Sequence, residues 1–438
     1  MALGGGTFLV QNKKLPGAYI NFVSAATASA TLSDRGIATM PLILDWGIDG
    51  EIFEVTNGDF QKNSQEIFGY AYTHPKLKGL RDLFKNLKTL YAYKLTSGGT
   101  KANNNFAEAT YTGERGNDLK IVVQVNTDDI SLFDVKTLLD MVVVDEQTVA
   151  NISELVDNSF VKWKKGSVLR ATAATPLTGG TNGTVDGAAH QAYLDKIESY
   201  VYNTMGVAIT DEVTKSLYIA FNKRLRDEMG IKFQLVLFGC KKPDYYGVIN
   251  IKNSIIEPDE LWNEASLVYW VTGVQAGCAV NKSVQNRIYD GEFQVHTDFK
   301  QTELEQAIQA GEFTFHKVGT EIRVLEDVNS MVTTTEELGE VFKDNQTVRV
   351  IDQIGNDIAV LFNTKYLGIV SNNKSGRISF WADIVAYYRQ LEQISAIEEF
   401  NEKEIIVEQG ATKKSVVVSG YITVVNTMSK LYMVCTIG

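Results

Sequence analysis

Apolar and polar positions alternate with two periods along this chain, and the changes of period mark its organisation. Gly4, Gly5 and Gly6 open a loose segment, and Pro16 and Gly17 punctuate it. Ala18, Tyr19, Ile20, Asn21, Phe22 and Val23 then predict one apolar strand. A single strand on an arm cannot bury itself and must lie on a larger body, its own or a neighbour's. From 26 to 93, strands at 37–44, 51–55 and 90–94 alternate with helices. The first helix begins at Asn57 or Asp59, both good caps, and ends near Phe68. The second follows Pro75, and its stripe is Leu77, Leu80, Leu83, Phe84 and Leu87.

Between 96 and 178 the period shortens to two. Leu119, Ile121, Val123 and Val125 alternate with Lys120, Val122 and Gln124. Further strands are expected at 106–111, 141–144 and 167–173, with one short helix at 148–156. Ser97-Gly98-Gly99 opens this region and a glycine-rich run, 177–184, closes it. The pattern predicts a β-rich insertion.

The helical period then returns. Helices are expected at 187–203, 211–229 and 258–279, and strands at 207–210, 233–238 and 248–251. Residues 233–238 are almost continuously apolar, as in a parallel strand covered on both faces. Strand and helix in this order predict a parallel sheet between helical layers. A hairpin at 313–325 and helices at 347–362 and 377–397 follow. Strands at 405–408, 415–425 and 430–437 close the chain, with Leu431, Met433, Cys435 and Ile437 on one face of the last.

Composition narrows the function. The 438 residues suggest two to four domains, and 44% apolar residues can fill a large core. The net charge of −11 argues against non-specific nucleic-acid binding, which needs surplus positive charge. His74, His190, His296, His316, Cys240, Cys278 and Cys435 are too dispersed for any metal-ligand spacing. The cysteines read as reduced core residues of an intracellularly folded protein. The first residues show no basic region leading into an apolar stretch, and no run of 18 apolar residues suggests a membrane span. GxSxG and GxGxxG are absent, and the 177–184 run lacks the lysine of a P-loop, so a domain-crossing turn is expected there. His74 reads as a turn or cap residue. His190 falls on the polar part of its helix, and His296 and His316 lie in strand-like surroundings. No catalytic, cofactor-binding or metal-binding residue emerges. The terminal strands carry more signal. They pair within their own subunit, or each completes a neighbour's sheet by β-augmentation.

At this point the residues match a family. Gly5-Gly6-Thr7-Phe8 through Pro16-Gly17-Ala18-Tyr19-Ile20-Asn21-Phe22, and Asp34-Arg35-Gly36 followed by Asp45-Trp46-Gly47, resemble the opening of contractile phage tail sheath proteins. The group meant is that of Gram-positive phages, defective prophages and R-type bacteriocins. Leu177-Thr178-Gly179-Gly180-Thr181-Asn182-Gly183 is similar to its glycine turn, and 226–233 to its Arg-x-x-x-Gly-x-x-Phe helix end. Glu326-Asp327-Val328-Asn329-Ser330 with Thr333-Thr334, and Met428-Ser429-Lys430-Leu431-Tyr432, complete the ordered match.

The resemblance implies α/β and α+β domains: a non-catalytic central domain of subtilisin-like topology, an inserted β-sandwich, a C-terminal α+β domain and strand-exchanging arms. It places the N-terminal arm at 1–25 and the central domain at 26–95 and 179–330. The sandwich falls at 96–178, the C-terminal domain at 331–409 and the C-terminal arm at 410–438. It implies a structural subunit that polymerises as stacked hexameric rings around a tail tube and contracts to drive the tube through an envelope. Its partners would be itself, the tube, baseplate and terminator proteins, with no cofactor, nucleic acid or membrane insertion. The particle would be a phage or bacteriocin tail assembled in the bacterial cytoplasm. The N-arm strand would be Ala18, Tyr19, Ile20, Asn21, Phe22 and Val23. The C-arm strand would be Leu431, Tyr432, Met433, Val434, Cys435, Thr436 and Ile437. Arg377, Tyr387, Tyr388 and Arg389 are the expected tube contacts. The competing reading is an intracellular α/β hydrolase-like enzyme without a recognisable motif. A tube or capsid subunit would be mostly β and fits the long helices poorly.

Overall fold

The computed structural model describes residues 32–437, so the expected N-arm strand lies outside the described residues. The described residues form two compact units, one of 34–355 with 424–437, the other of 356–423 with 32–33.

The larger unit begins with β1 (Ile37–Leu42), β2 (Ile52–Thr56), α1 (Asn57–Phe68), α2 (Lys78–Phe84) and β3 (Thr89–Lys94). The insertion supplies β4 (Leu119–Val125), β5 (Phe133–Leu139), β6 (Val142–Val149) and β7 (Thr172–Pro176). The chain then adds α3 (Gly187–Ile197), β8 (Thr204–Gly206), α4 (Glu212–Lys223), β9 (Gln234–Phe238), β10 (Val248–Ile251), α5 (Val268–Gly277) and β11 (Glu312–Phe313). The main sheet has the order β11-β10-β9-β8-β1-β3-β2. All its pairs are parallel except β2 with β3. β9 and β10 are buried almost throughout, as their apolar runs require.

Two apolar clusters cover the sheet. One joins Leu80, Leu83, Val236, Ile249, Trp270 and Val274; the other joins Tyr193, Leu194, Tyr218, Leu235 and Leu237. The closest packing is between α2 and α5. A Cβ on Gly273 would stand 2.2 Å from the Leu83 carbonyl oxygen, and one on Gly277 would stand 1.9 Å from that of Asn86. Only glycine allows this approach. Two buried arginines fix later segments to the body. Arg226 grips Asp352 with both terminal nitrogens, at 2.6 and 2.7 Å. Arg349 donates to Gln275 Oε1 and to the Lys282 carbonyl, each at 2.6 Å.

The insertion forms a four-stranded antiparallel sheet, β6-β5-β4-β7, and a short ladder of Ala107–Ala109 with Val161–Trp163. Its core joins Leu119, Ile121, Val123, Val135, Leu139, Phe160 and Trp163. Asp140 and Met141 both take positive φ, which suits the tight turn between β5 and β6. The helix expected at 148–156 is not formed. Thr148 and Val149 are β-branched and pair with Asp134 and Phe133, leaving one 3₁₀ turn at Ile152–Glu154. The strand expected at 167–173 falls instead at β7, and that expected at 207–210 falls at β8.

The two glycine-rich borders lie against each other. Thr100 pairs with Thr181 and Asn103 with Thr178. A Cβ on Gly99 or on Gly183 would stand 1.9 Å from the opposing backbone oxygen. The run 177–184 is therefore a crossing of two backbones.

The smaller unit contains the second half of α6 (Asn345–Leu361), α7 (Lys374–Gln393), and the hairpin of β12 (Ile406–Gln409) with β13 (Val416–Ser419). Phe380, Ile384, Tyr387 and Leu391 form the buried stripe of α7. The Tyr387 hydroxyl donates to Asp357 at 2.8 Å, and the Trp381 indole to the Ile405 carbonyl at 2.9 Å.

Candidate assembly surface

The polar clusters of the body do not make a reacting constellation. His74 caps a 3₁₀ turn through the Lys76 amide. His190 is buried, not on a polar face as expected, and its Nδ1 meets the Tyr218 hydroxyl at 2.7 Å. Burial holds both imidazoles below their usual pKa. Among the described residues no histidine side chain is hydrogen-bonded to a serine, threonine or cysteine, and no three metal-ligating side chains converge. Cys240 and Cys278 are buried as expected, and burial pushes the Cys240 thiol up to about 12. Cys435 is exposed, which corrects its reading as a core residue.

A crevice of about 410 Å³ opens where the chain leaves β1 and β8, the place where strand order reverses. On its wall Asp45 accepts from Tyr70 at 2.6 Å and from Lys76 at 2.5 Å. Burial and the Asp45 carboxylate raise the Tyr70 phenol far above its usual range. The cluster is closed on itself, with its lysine already paired.

The chain end is different. Residues 425–437 have no regular secondary structure. Their root is fixed: Gln346 donates to the Val425 carbonyl and accepts from the Thr427 amide, both at 3.0 Å. Beyond it Leu431, Tyr432, Met433, Val434, Cys435, Thr436 and Ile437 are all exposed, Val434 and Ile437 at 94%. Such a run carries a row of uncommitted backbone groups and apolar side chains.

A surface able to receive such a run stands in the smaller unit. The β12–β13 hairpin is a two-stranded sheet, so each strand keeps one unpaired edge among the described residues. Ile406, Val417, Val418 and Tyr421 are exposed on and beside it. Sequence reasoning saw these strands but not that their edges stay open.

The expected tube contacts separate. Arg377 is half-buried and donates to the Asn372 side chain at 3.0 Å. It lines a cavity of about 100 Å³ with Phe362, Tyr366, Phe380, Lys414 and Val416. Arg389 is exposed and paired with Glu402 at 2.5 Å. Tyr388 is half-buried against Phe400. Tyr387 is fully buried, which corrects its place among the reaching groups. The i, i+4, i+7, i+11 spacing of 380, 384, 387 and 391 carried that signal. Leu367, Ile369 and Ile378 are exposed apolar residues of the same stretch, and the chain has no carboxylate between Asp357 and Asp383.

Models of four phage tail sheath segments match in order along the chain. They are the domain III N-terminal region of tail sheath protein Gp18 (35–95), the β-sandwich domain (97–182), the central domain (183–330) and the C-terminal domain (337–438). The phage-like element PBSX protein XkdK of Bacillus subtilis is 30% identical, with 81% of each chain covered. The chain belongs to the phage tail sheath protein family. The crystal structure of a sheath tail protein from Desulfitobacterium hafniense superposes with a TM-score of 0.83 at 34% identity, covering 95% of this chain and 99% of that one. The contracted helical sheath of the anti-feeding prophage shares the fold at 11% identity, with a TM-score of 0.58 over 97% and 99% of the two chains. Sheath proteins are structural subunits of phage and injection-system particles and not enzymes. Among the described residues no helix is long and apolar enough to cross a membrane.

Proposed function

We propose that this chain polymerises into stacked hexameric rings around a tail tube and contracts to drive the tube through a target envelope. The observations that carry this reading are the exposed apolar run 431–437, which has no hydrogen-bond partner among the described residues, and a hairpin that keeps two open edges among them. A strand of residues 431–437 from one subunit would add to β12 or β13 of the next. The strand at 18–23 would occupy the opposite edge of such a sheet. Each added backbone bond contributes about 0.5–1.5 kcal/mol net, so several hold two subunits while their bodies rotate. Donor and acceptor are different surfaces, so the contact is heterologous and closes into rings or runs on as a helix.

The remaining assignments follow. The central sheet, parallel but for β2, supports a subtilisin-like topology used as a rigid, non-catalytic body. Arg377 with Lys374, Lys413 and Lys414, set among Leu367, Ile369 and Ile378, is the surface that would meet an acidic tube. Baseplate and terminator proteins would bind the ends of the polymer. Assembly would take place in the bacterial cytoplasm, on a phage, defective prophage or R-type bacteriocin tail.

Deleting 430–438 tests the reading. The truncated chain should unfold at the temperature of the full chain yet form neither rings nor tubes in electron micrographs. Sheaths formed without those residues would refute C-terminal strand exchange.

A further inference from the structure

We propose that the crevice at the ends of β1 and β8 seats residues 8–15 of a second copy of this chain. The crevice is a place built to receive something. It lies outside the carboxyl ends of parallel strands at the point of strand reversal. Its volume falls within the roughly 300–1,000 Å³ of ligand clefts. Its mouth presents Ile43, 71% exposed, and Leu261, 47% exposed, with Trp262 beside them. His190 lines it while 5% exposed, and its Nε2 has no hydrogen-bond partner among the described residues.

Charge selects the occupant. Glu114, Asp259 and Glu260 line the crevice, and none forms an ion pair among the described residues. The one lysine there, Lys76, is committed to Asp45. The crevice therefore asks for an apolar segment that carries positive charge. Residues 8–15 read Phe-Leu-Val-Gln-Asn-Lys-Lys-Leu, and no carboxylate precedes Asp34. The adjacent pair Lys13-Lys14 matches the adjacent pair Asp259-Glu260. The three other lysine doublets, Lys164-Lys165, Lys241-Lys242 and Lys413-Lys414, all lie in turns next to strands of the described fold. Pro16-Gly17 separates the docking residues from the strand at 18–23, so one arm has two distinct tasks.

A fluorescein-labelled peptide of residues 6–16, titrated into the full chain, tests this by anisotropy. Saturable binding is expected, weakening at least tenfold from 50 to 300 mM salt. Ile43→Asp, or the exposed pair Asp259→Lys with Glu260→Lys, should each weaken it at least tenfold. A peptide carrying Lys13→Glu and Lys14→Glu should recover binding on the lysine-substituted crevice. No saturable binding, indifference to the crevice substitutions, absence of that recovery, or equal competition by a 428–437 peptide would each overturn the proposal. Removal of 430–438, which tests the sheath reading, should leave peptide binding intact, so the two ideas fail separately.

Discussion

The α/β body and the last ten residues of the chain are built from similar side chains and treat them in opposite ways. In the body Val236, Leu237, Ile249 and Val274 are wholly buried, and even Arg226 and Arg349 are enclosed, with their terminal nitrogens partnered. In the tail Leu431, Tyr432, Val434 and Ile437 are 85–94% exposed. Apolar area in water costs roughly 25 cal/mol per Å², so the proposed strand exchange would gain by covering this run. One region completes itself; the other would be completed by the assembly proposed above.

Substitutions should divide along the same line. The largest loss is expected for Arg226→Ala, which strands the buried Asp352 carboxylate. Removing one partner of a buried pair costs about 3–5 kcal/mol, readable in the urea midpoint. Next comes a pH effect. Burial raises the Asp82 carboxyl from 3.8 to about 6. A carboxyl that holds its proton more tightly when folded favours folding at pH 4 and loses that advantage as pH climbs through 6. Stability should therefore fall by up to about 3 kcal/mol from this group between pH 4 and 7. Asp82→Asn should flatten that slope in denaturation curves measured across the range. Gly273→Ala pushes a methyl into the Leu83 carbonyl and should cost about 1–3 kcal/mol, seen as a lower melting temperature. The smallest effect on unfolding belongs to Leu431→Ser with Val434→Ser. These should stay within about 0.5 kcal/mol while sedimentation shows assembly lost. A tail substitution that destabilises the body would collapse the contrast.

Much of the body was readable because its signals are local. Pro75, the stripe from Leu77 to Leu87, the apolar run at 233–238 and Gly230 each act within a few residues. The misreadings have physical causes of longer reach. Thr148 and Val149 fit a helical pattern but are claimed by the cross-strand neighbours Asp134 and Phe133. His190 was placed on a polar face because the depth of Tyr218, 28 positions on, is invisible in sequence. Tyr387 was misplaced although its spacing from Phe380, Ile384 and Leu391 was present to be read. For the assembly surface, the apolar character of 430–437 was legible, but the strand expected there is not formed within the chain, because a strand needs a neighbour to pair with. Pairing is a property of the folded molecule. The crevice at β1 and β8 left no sequence mark, since its walls come from seven separate stretches of chain.

The crossing at Thr100 and Thr181 has a different kind of consequence. The chain departs for the inserted sheet and returns through residues hydrogen-bonded to each other, 81 positions apart. The excursion also leans on the body: Trp46 is buried in its core, and Arg115 donates to the Gly69 carbonyl. Ring closure across such a gap needs only a few residues, but excision would uncover Trp46 and strand the buried Lys94, which donates to the Thr112 carbonyl. A replacement module would need ends that meet at that spacing and a face that covers Trp46 and Lys94.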